Sequence, residues 1–197
     1  MRMVWLPGAF DGARDFQQAG FGEAVTTRNL ALDLAFVDLD LKHLGDRAPL
    51  EQIRLQQVLP ALEQGLSVWL GGISLGGLIA LDYAATYPNE CAGLCLLAPY
   101  LGNRMLTAEI AAAPGLAAWE PGELADLDEE RRIWRFIKMR AAAVPLYLGY
   151  GKDDRFVSAH ALLASVLPAE SVTVIAGGHD WRTWSALWEA FLDSYFS

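Results

Sequence analysis

The chain has 197 residues, 53% of them hydrophobic and 20% charged, a balance that fits one globular domain with a sizeable core. Its formal net charge of -9 speaks against nucleic acid, whose phosphates are held by Lys and Arg, and against docking on anionic lipid. Val4-Trp5-Leu6 is too short for a signal-peptide core, and the apolar run from Val68 to Leu81 is broken by Gly71, Gly72, Ser74, Gly76 and Gly77, so a soluble cytoplasmic protein is expected.

In chain order, apolar runs of strand length open the pattern at Met3–Leu6 and Leu34–Leu39. Leu55, Val58, Leu59 and Leu62 then recur at helical spacing, with Glu51, Gln52, Arg54 and Gln56 on the other faces. Pro60 lacks an N–H and should kink or split that helix. A third run, Ser67–Leu70, leads into a helix over Leu78–Tyr87 that is apolar nearly all round and stops at Pro88. Gly93–Ala98 is the fourth strand. A disulfide between Cys91 and Cys95 would need Cα atoms far closer than an extended strand allows, so both are read as buried thiols acting as small hydrophobes.

Residues 102–140 contain no clear strand but hold helical patterns at Thr107–Ala113, Leu116–Trp119 and Glu129–Arg140. Pro145–Tyr150 and Val172–Ala176 complete the strands. Between them Ser158 is placed to cap a helix that runs to Leu167 before Pro168. A last helix carries Trp181, Trp184, Trp188, Phe191, Leu192 and Tyr195 on one stripe.

Several strand runs are apolar on both faces, as in a buried parallel sheet. Their alternation with helices requires crossover connections, which predicts a single α/β domain with helices on both faces of a mostly parallel sheet. The insertion at about 102–140 is expected to form a small cap at the carboxyl edge, where ligands bind in such sheets.

The most specific motif is Gly72-Ile73-Ser74-Leu75-Gly76, a G-x-S-x-G between a predicted strand and a predicted helix. That order suits a nucleophile: a serine on a strained strand-to-helix turn projects clear of the sheet, and glycines on either side remove Cβ atoms that would collide. The helix N-terminus behind it offers N–H groups to an oxyanion. A serine also needs a base. Of the three histidines, His43 lies in a polar loop and His160 inside a predicted helix. His179 follows a strand and Gly177-Gly178, at the same sheet edge as Ser74. Asp153 and Asp154 lie just beyond another strand end, and either could orient the imidazole. The three His and two Cys show no metal-ligand spacing.

With these residues in view, the sequence resembles the α/β-hydrolase superfamily over essentially its whole length. Ser74, Asp154 and His179 follow the family's chain order of nucleophile, acid and base. Gly151-Lys152-Asp153-Asp154-Arg155-Phe156-Val157 is similar to the family's acid loop G-x-x-D-x-x-V, which favours Asp154 over Asp153. Where many members have His-Gly-x after an early strand, this chain has Pro7-Gly8-Ala9. The resemblance implies an oxyanion hole from the N–H of Ala9, with Phe10 as the alternative, and that of Leu75. It also implies a compact core of about six parallel strands and a serine hydrolase that needs no cofactor or metal. A carboxylesterase acting on small or medium acyl esters is expected by analogy. Thioester hydrolysis or acyl transfer by the same triad, and non-catalytic ligand binding, are the alternatives. Phe10, Trp119 and Trp134 are candidates to line an apolar acyl pocket; otherwise the two tryptophans, with Phe136, pack the insertion onto the sheet.

Overall fold

All six apolar runs pair into one sheet in the computed structural model, which describes residues 1–39, 47–123, 128–140 and 144–196. The strands are β1 (Arg2–Leu6), β2 (Asp33–Phe36), β3 (Val68–Ile73), β4 (Gly93–Leu97), β5 (Leu146–Gly151) and β6 (Val172–Ile175). Their spatial order is β2-β1-β3-β4-β5-β6 and every pairing is parallel, so all carboxyl ends share one edge. β1, β3, β4 and β5 each send alternate side chains into two separate cores, as period-2 strands buried on both faces must.

One core is strongly aromatic. Met3 and Trp5 of β1, Trp69 of β3 and Tyr147 of β5 meet α1 (Ala13–Gln18), α2 (Phe21–Thr27) and α9 (Trp181–Tyr195) there. Trp5 stands edge-on to Phe21 at 4.9 Å and to Trp188 at 5.0 Å, arrangements that add attraction beyond burial. Gly71 makes room for this ring, because a Cβ there would lie 2.6 Å from the Trp5 indole. The helices α1 and α2 have no counterpart in the sequence reading.

The opposite core takes Val4, Leu6, Leu70, Leu96 and Leu148 from the sheet. Over it lie α3 (Ala48–Ile53), α4 (Leu59–Glu63), α5 (Leu75–Thr86) and α8 (Val157–Ala164). A π-turn at Arg54–Val58 joins α3 to α4. This wider turn accommodates Pro60, which has no N–H for the helical ladder and stands in the first turn of α4. The helix after β5 differs from expectation. Its N-cap is Phe156, with Ser158 exposed in the first turn, and it ends at Ala164.

Residues 102–140 divide between two neighbours. α6 (Arg104–Ala112) lies beside α8, and α7 (Glu129–Arg140) packs on α5, where Arg132 pairs with Asp82. Asn103 caps α6 by accepting from the Leu106 N–H at 3.0 Å. Cys91 and Cys95 are free; burial pushes the Cys91 thiol up to about 11 and the Cys95 thiol well above its usual value, so neither is a ready thiolate. Among the described residues no helix is long and apolar enough to cross a membrane.

Candidate active site

The β3–α5 turn places Ser74 at φ 49°, ψ -118°, a left-handed backbone that side-chain-bearing residues rarely adopt. Three hydrogen bonds hold it there. The Ser74 N–H donates to Leu97 O at 3.2 Å, and Ser74 O accepts from the N–H groups of Gly77 (3.0 Å) and Tyr100 (2.8 Å). The glycines of the motif are required for space. A Cβ on Gly72 would lie 2.3 Å from Gly76 O, and one on Gly76 would lie 2.1 Å from Leu6 O. Ser74 therefore protrudes at the strand ends with the first turn of α5 directly behind it.

His179 enters from the loop after β6. Its Nε2 is 2.9 Å from Ser74 Oγ and its Nδ1 is 2.8 Å from Asp154 Oδ2. Asp154 follows β5 and is 2% exposed, while Asp153 is exposed and uses its N–H to reach Gly177 O at 3.0 Å. The second oxygen of Asp154, Oδ1, accepts the Phe156 N–H at 2.8 Å. Burial works against the Asp154 charge, but the bonds from His179 and the Phe156 N–H outweigh it and hold the carboxyl below its ordinary value. An ionised Asp154 accepts a hydrogen bond from Nδ1–H and so favours the tautomer whose Nε2 is free to accept from Ser74 Oγ.

Two aromatic rings hold the imidazole. Phe156 and Trp184 stand edge-on to it, each with centroids 5.1 Å away, at 83° and 90°. Asp180 fixes the entry to α9 by capping Thr183 N–H at 2.9 Å. The sequence placed Trp184 on a helix stripe and Phe156 in the acid loop but gave neither a role beside His179, although Phe156 lies two residues from Asp154 and Trp184 five from His179. His160 is fully buried in α8 with Nε2 2.9 Å from Pro99 O, and burial pushes its pKa down. His43 lies outside the described residues.

The loop after β1 runs along Ser74, since a Cβ on Gly8 would come within 3.5 Å of Ser74 Cβ. Ala9 is exposed beside it, and the Leu75 N–H opens α5 where no intrahelical acceptor exists. The pocket candidates need correction. Phe10 is 100% exposed and forms no pocket wall. Trp119 and Trp134 are buried in the core beneath the insertion, their indole N–H groups bound to Glu109 Oε1 at 2.9 Å and Leu101 O at 2.7 Å. Large rings with one donor each fill the core and satisfy that donor internally, and neither lines the cleft between α6 and α8. A cleft of about 670 Å³ lies between α6 and α8; its lining includes Tyr100 and Phe156, which neighbour Ser74 and His179.

No protein-family model matches the chain, and no curated protein matches it. Solved structures do. The fluorophosphonate-binding serine hydrolase F of Staphylococcus aureus, solved with substrate bound, superposes with a TM-score of 0.67 at 15% identity, covering 98% of this chain and 82% of that one. A ferulic acid esterase gives 0.65 at 15% identity, covering 98% and 83%. A putative hydrolase of the α/β superfamily from Xanthomonas campestris pv. campestris gives 0.56 at 22% identity and covers 98% of both chains. The parallel six-stranded sheet between two helical layers superposes on these proteins over nearly its whole length: this chain has the α/β-hydrolase fold.

Proposed function

We propose that this protein is a serine hydrolase that cleaves carboxylic esters with small or medium acyl groups. The observation that carries this reading is the single line of contacts from Asp154 through His179 to Ser74, at 2.8 and 2.9 Å, on a strained turn that presents Ser74 Oγ. Its similarity in fold to a serine hydrolase and to a ferulic acid esterase agrees with it.

In the proposed reaction Ser74 Oγ attacks the ester carbonyl while His179 Nε2 takes its proton. The carbonyl oxygen becomes an oxyanion held by the N–H groups of Leu75 and Ala9, the first of them at the positive end of α5. The C–O bond to the alcohol breaks, and the alcohol leaves with the proton from His179. Water then gives a proton to the same nitrogen, attacks the acyl-enzyme and releases the carboxylic acid and Ser74. Asp154 stabilises the imidazolium at both stages. No step calls for a metal or cofactor.

Turnover of p-nitrophenyl acetate, butyrate and octanoate by the native protein and by Ser74→Ala tests the reading. Hydrolysis that disappears in the variant is expected. A folded native protein that hydrolyses none of these esters, nor their thioester counterparts, would contradict it and leave ligand binding as the role of the site.

A further inference from the structure

We infer that the cleft between α6 and α8 receives an acyl chain ending in a carboxylate, so that the substrates are half-esters of dicarboxylic acids. This rests on the esterase reading and adds the substrate's charge to it. Two of the residues that line the cleft, Tyr100 and Phe156, also neighbour Ser74 and His179. Tyr100 donates its N–H to Ser74 O at 2.8 Å, its ring lies 5.5 Å from that of Phe156, and Phe156 lies 5.1 Å from His179. A chain bonded to Ser74 Oγ and running past these two rings enters a cleft floored by Leu101 and Leu162.

Its charge is the unexpected feature. The chain has 24 acidic against 15 basic residues, yet among the described residues the only charged side chains that line this cleft are Arg104 and Arg155. Among the described residues neither is in an ion pair, a state they share with Arg14, Arg135 and Arg182 outside the cleft, so both guanidinium groups are open to an anion. The Arg155 guanidinium lies over the Phe156 ring, 4.8 Å from its centroid, which steadies the side chain and leaves its N–H donors for another acceptor. The first turns of α6 and α8 both face the cleft, through Arg104 and Ser158, and bring two positive dipole ends to it. A carboxylate behind this wall, Glu130, is engaged by the N–H (2.9 Å) and Nδ2 (2.6 Å) of Asn103 and by the Tyr100 hydroxyl (3.4 Å). A mostly apolar cleft that lies one pair of aromatic rings away from Ser74 and holds two arginines fits an apolar chain with a terminal anion, which a guanidinium can bind with paired hydrogen bonds.

The test compares kcat/KM for p-nitrophenyl hydrogen adipate and p-nitrophenyl hexanoate, which differ only in the terminal carboxylate. It is run on the native protein and on R104Q, R155Q and the double variant, each checked for folding by its melting curve. The native protein should prefer the adipate half-ester by about tenfold at low ionic strength, and the preference should fall with added salt and approach unity in the double variant. Equal rates on both esters, a preference for hexanoate, or a preference that survives the double substitution would overturn the inference while leaving the esterase reading in place. If neither ester turns over, the esterase reading fails, and calorimetric titration with adipate decides the cleft. Binding lost in the double variant then supports an anion site, and absence of binding refutes it.

Discussion

The indole of Trp184 stands at 90° to the imidazole of His179, with the ring centroids 5.1 Å apart. Trp184 is 5% exposed and packs against the His179 ring, so its expected effect on chemistry runs through the position of His179. Trp184→Ala should cost about 3–5 kcal/mol of stability by opening a cavity, and kcat should fall with little change in KM. Trp184→Phe keeps an edge-on aromatic and should restore most of kcat. A Trp184→Ala protein that is folded and has native kcat would show that the ring is packing alone.

Asp154 has a second consequence, for pH. Its carboxyl is held below the ordinary value in the folded state, so its ionised form stabilises the fold above the unfolded carboxylate pKa, and that contribution is lost as pH falls through the lower folded value. The part of the stability difference between the native protein and Asp154→Asn that comes from this carboxylate should therefore shrink as pH falls below about pH 4. At neutral pH the same variant should lose about 10³–10⁴-fold in kcat, because an amide no longer holds the reactive tautomer of His179. Urea melts across pH and ester turnover at pH 7 check the two halves separately.

Gly76 is where the turn tolerates least. A Cβ there meets Leu6 O at 2.1 Å and Pro7 O at 2.6 Å, both backbone atoms of β1 and the loop after it. Gly76→Ala should destabilise by about 1–3 kcal/mol or more and displace the loop that runs past Ser74, so activity falls with stability. Gly22→Ala in α2 is the control. Nothing lies within 4 Å of its Cβ position, and the change should stabilise by about 0.4–1 kcal/mol.

Trp134 and Ala111 separate scaffold from cleft. Trp134→Phe removes the donor to Leu101 O and should cost about 1–3 kcal/mol with the preference for acyl chain length unchanged. Ala111 lines the cleft and is exposed, so Ala111→Phe should leave stability within about 0.5 kcal/mol and shift that preference toward shorter chains. Melting curves and a series of p-nitrophenyl esters measure both.

The sheet was legible because parallel strands buried on both faces show as short unbroken apolar runs, and Gly93–Leu97 and Leu146–Gly151 are buried throughout. The elbow was legible because its constraint is local, with Gly72, Ser74 and Gly76 lying within five positions. Helices α1 and α2 escaped because each is a short segment entered through glycine, stabilised by Phe16 and Phe21 meeting Trp5 rather than by periodicity. The cleft escaped for a similar reason. Its wall joins Tyr100–Arg104 to Arg155–Leu162, segments some fifty positions apart, and only the fold brings them together. Aromatic residues in the insertion looked like pocket candidates, but Trp134 is large enough to be core and close enough to Leu101 O to satisfy its own donor.

The most direct measurement is the mass of the intact protein after exposure to a fluorophosphonate, followed by peptide mapping of the adduct. One adduct on the peptide that contains Ser74, absent in His179→Ala, is the predicted result, because the hydroxyl reacts only when His179 Nε2, 2.9 Å away, takes its proton. A folded native protein that acquires no adduct, or acquires it on another serine, would contradict the account.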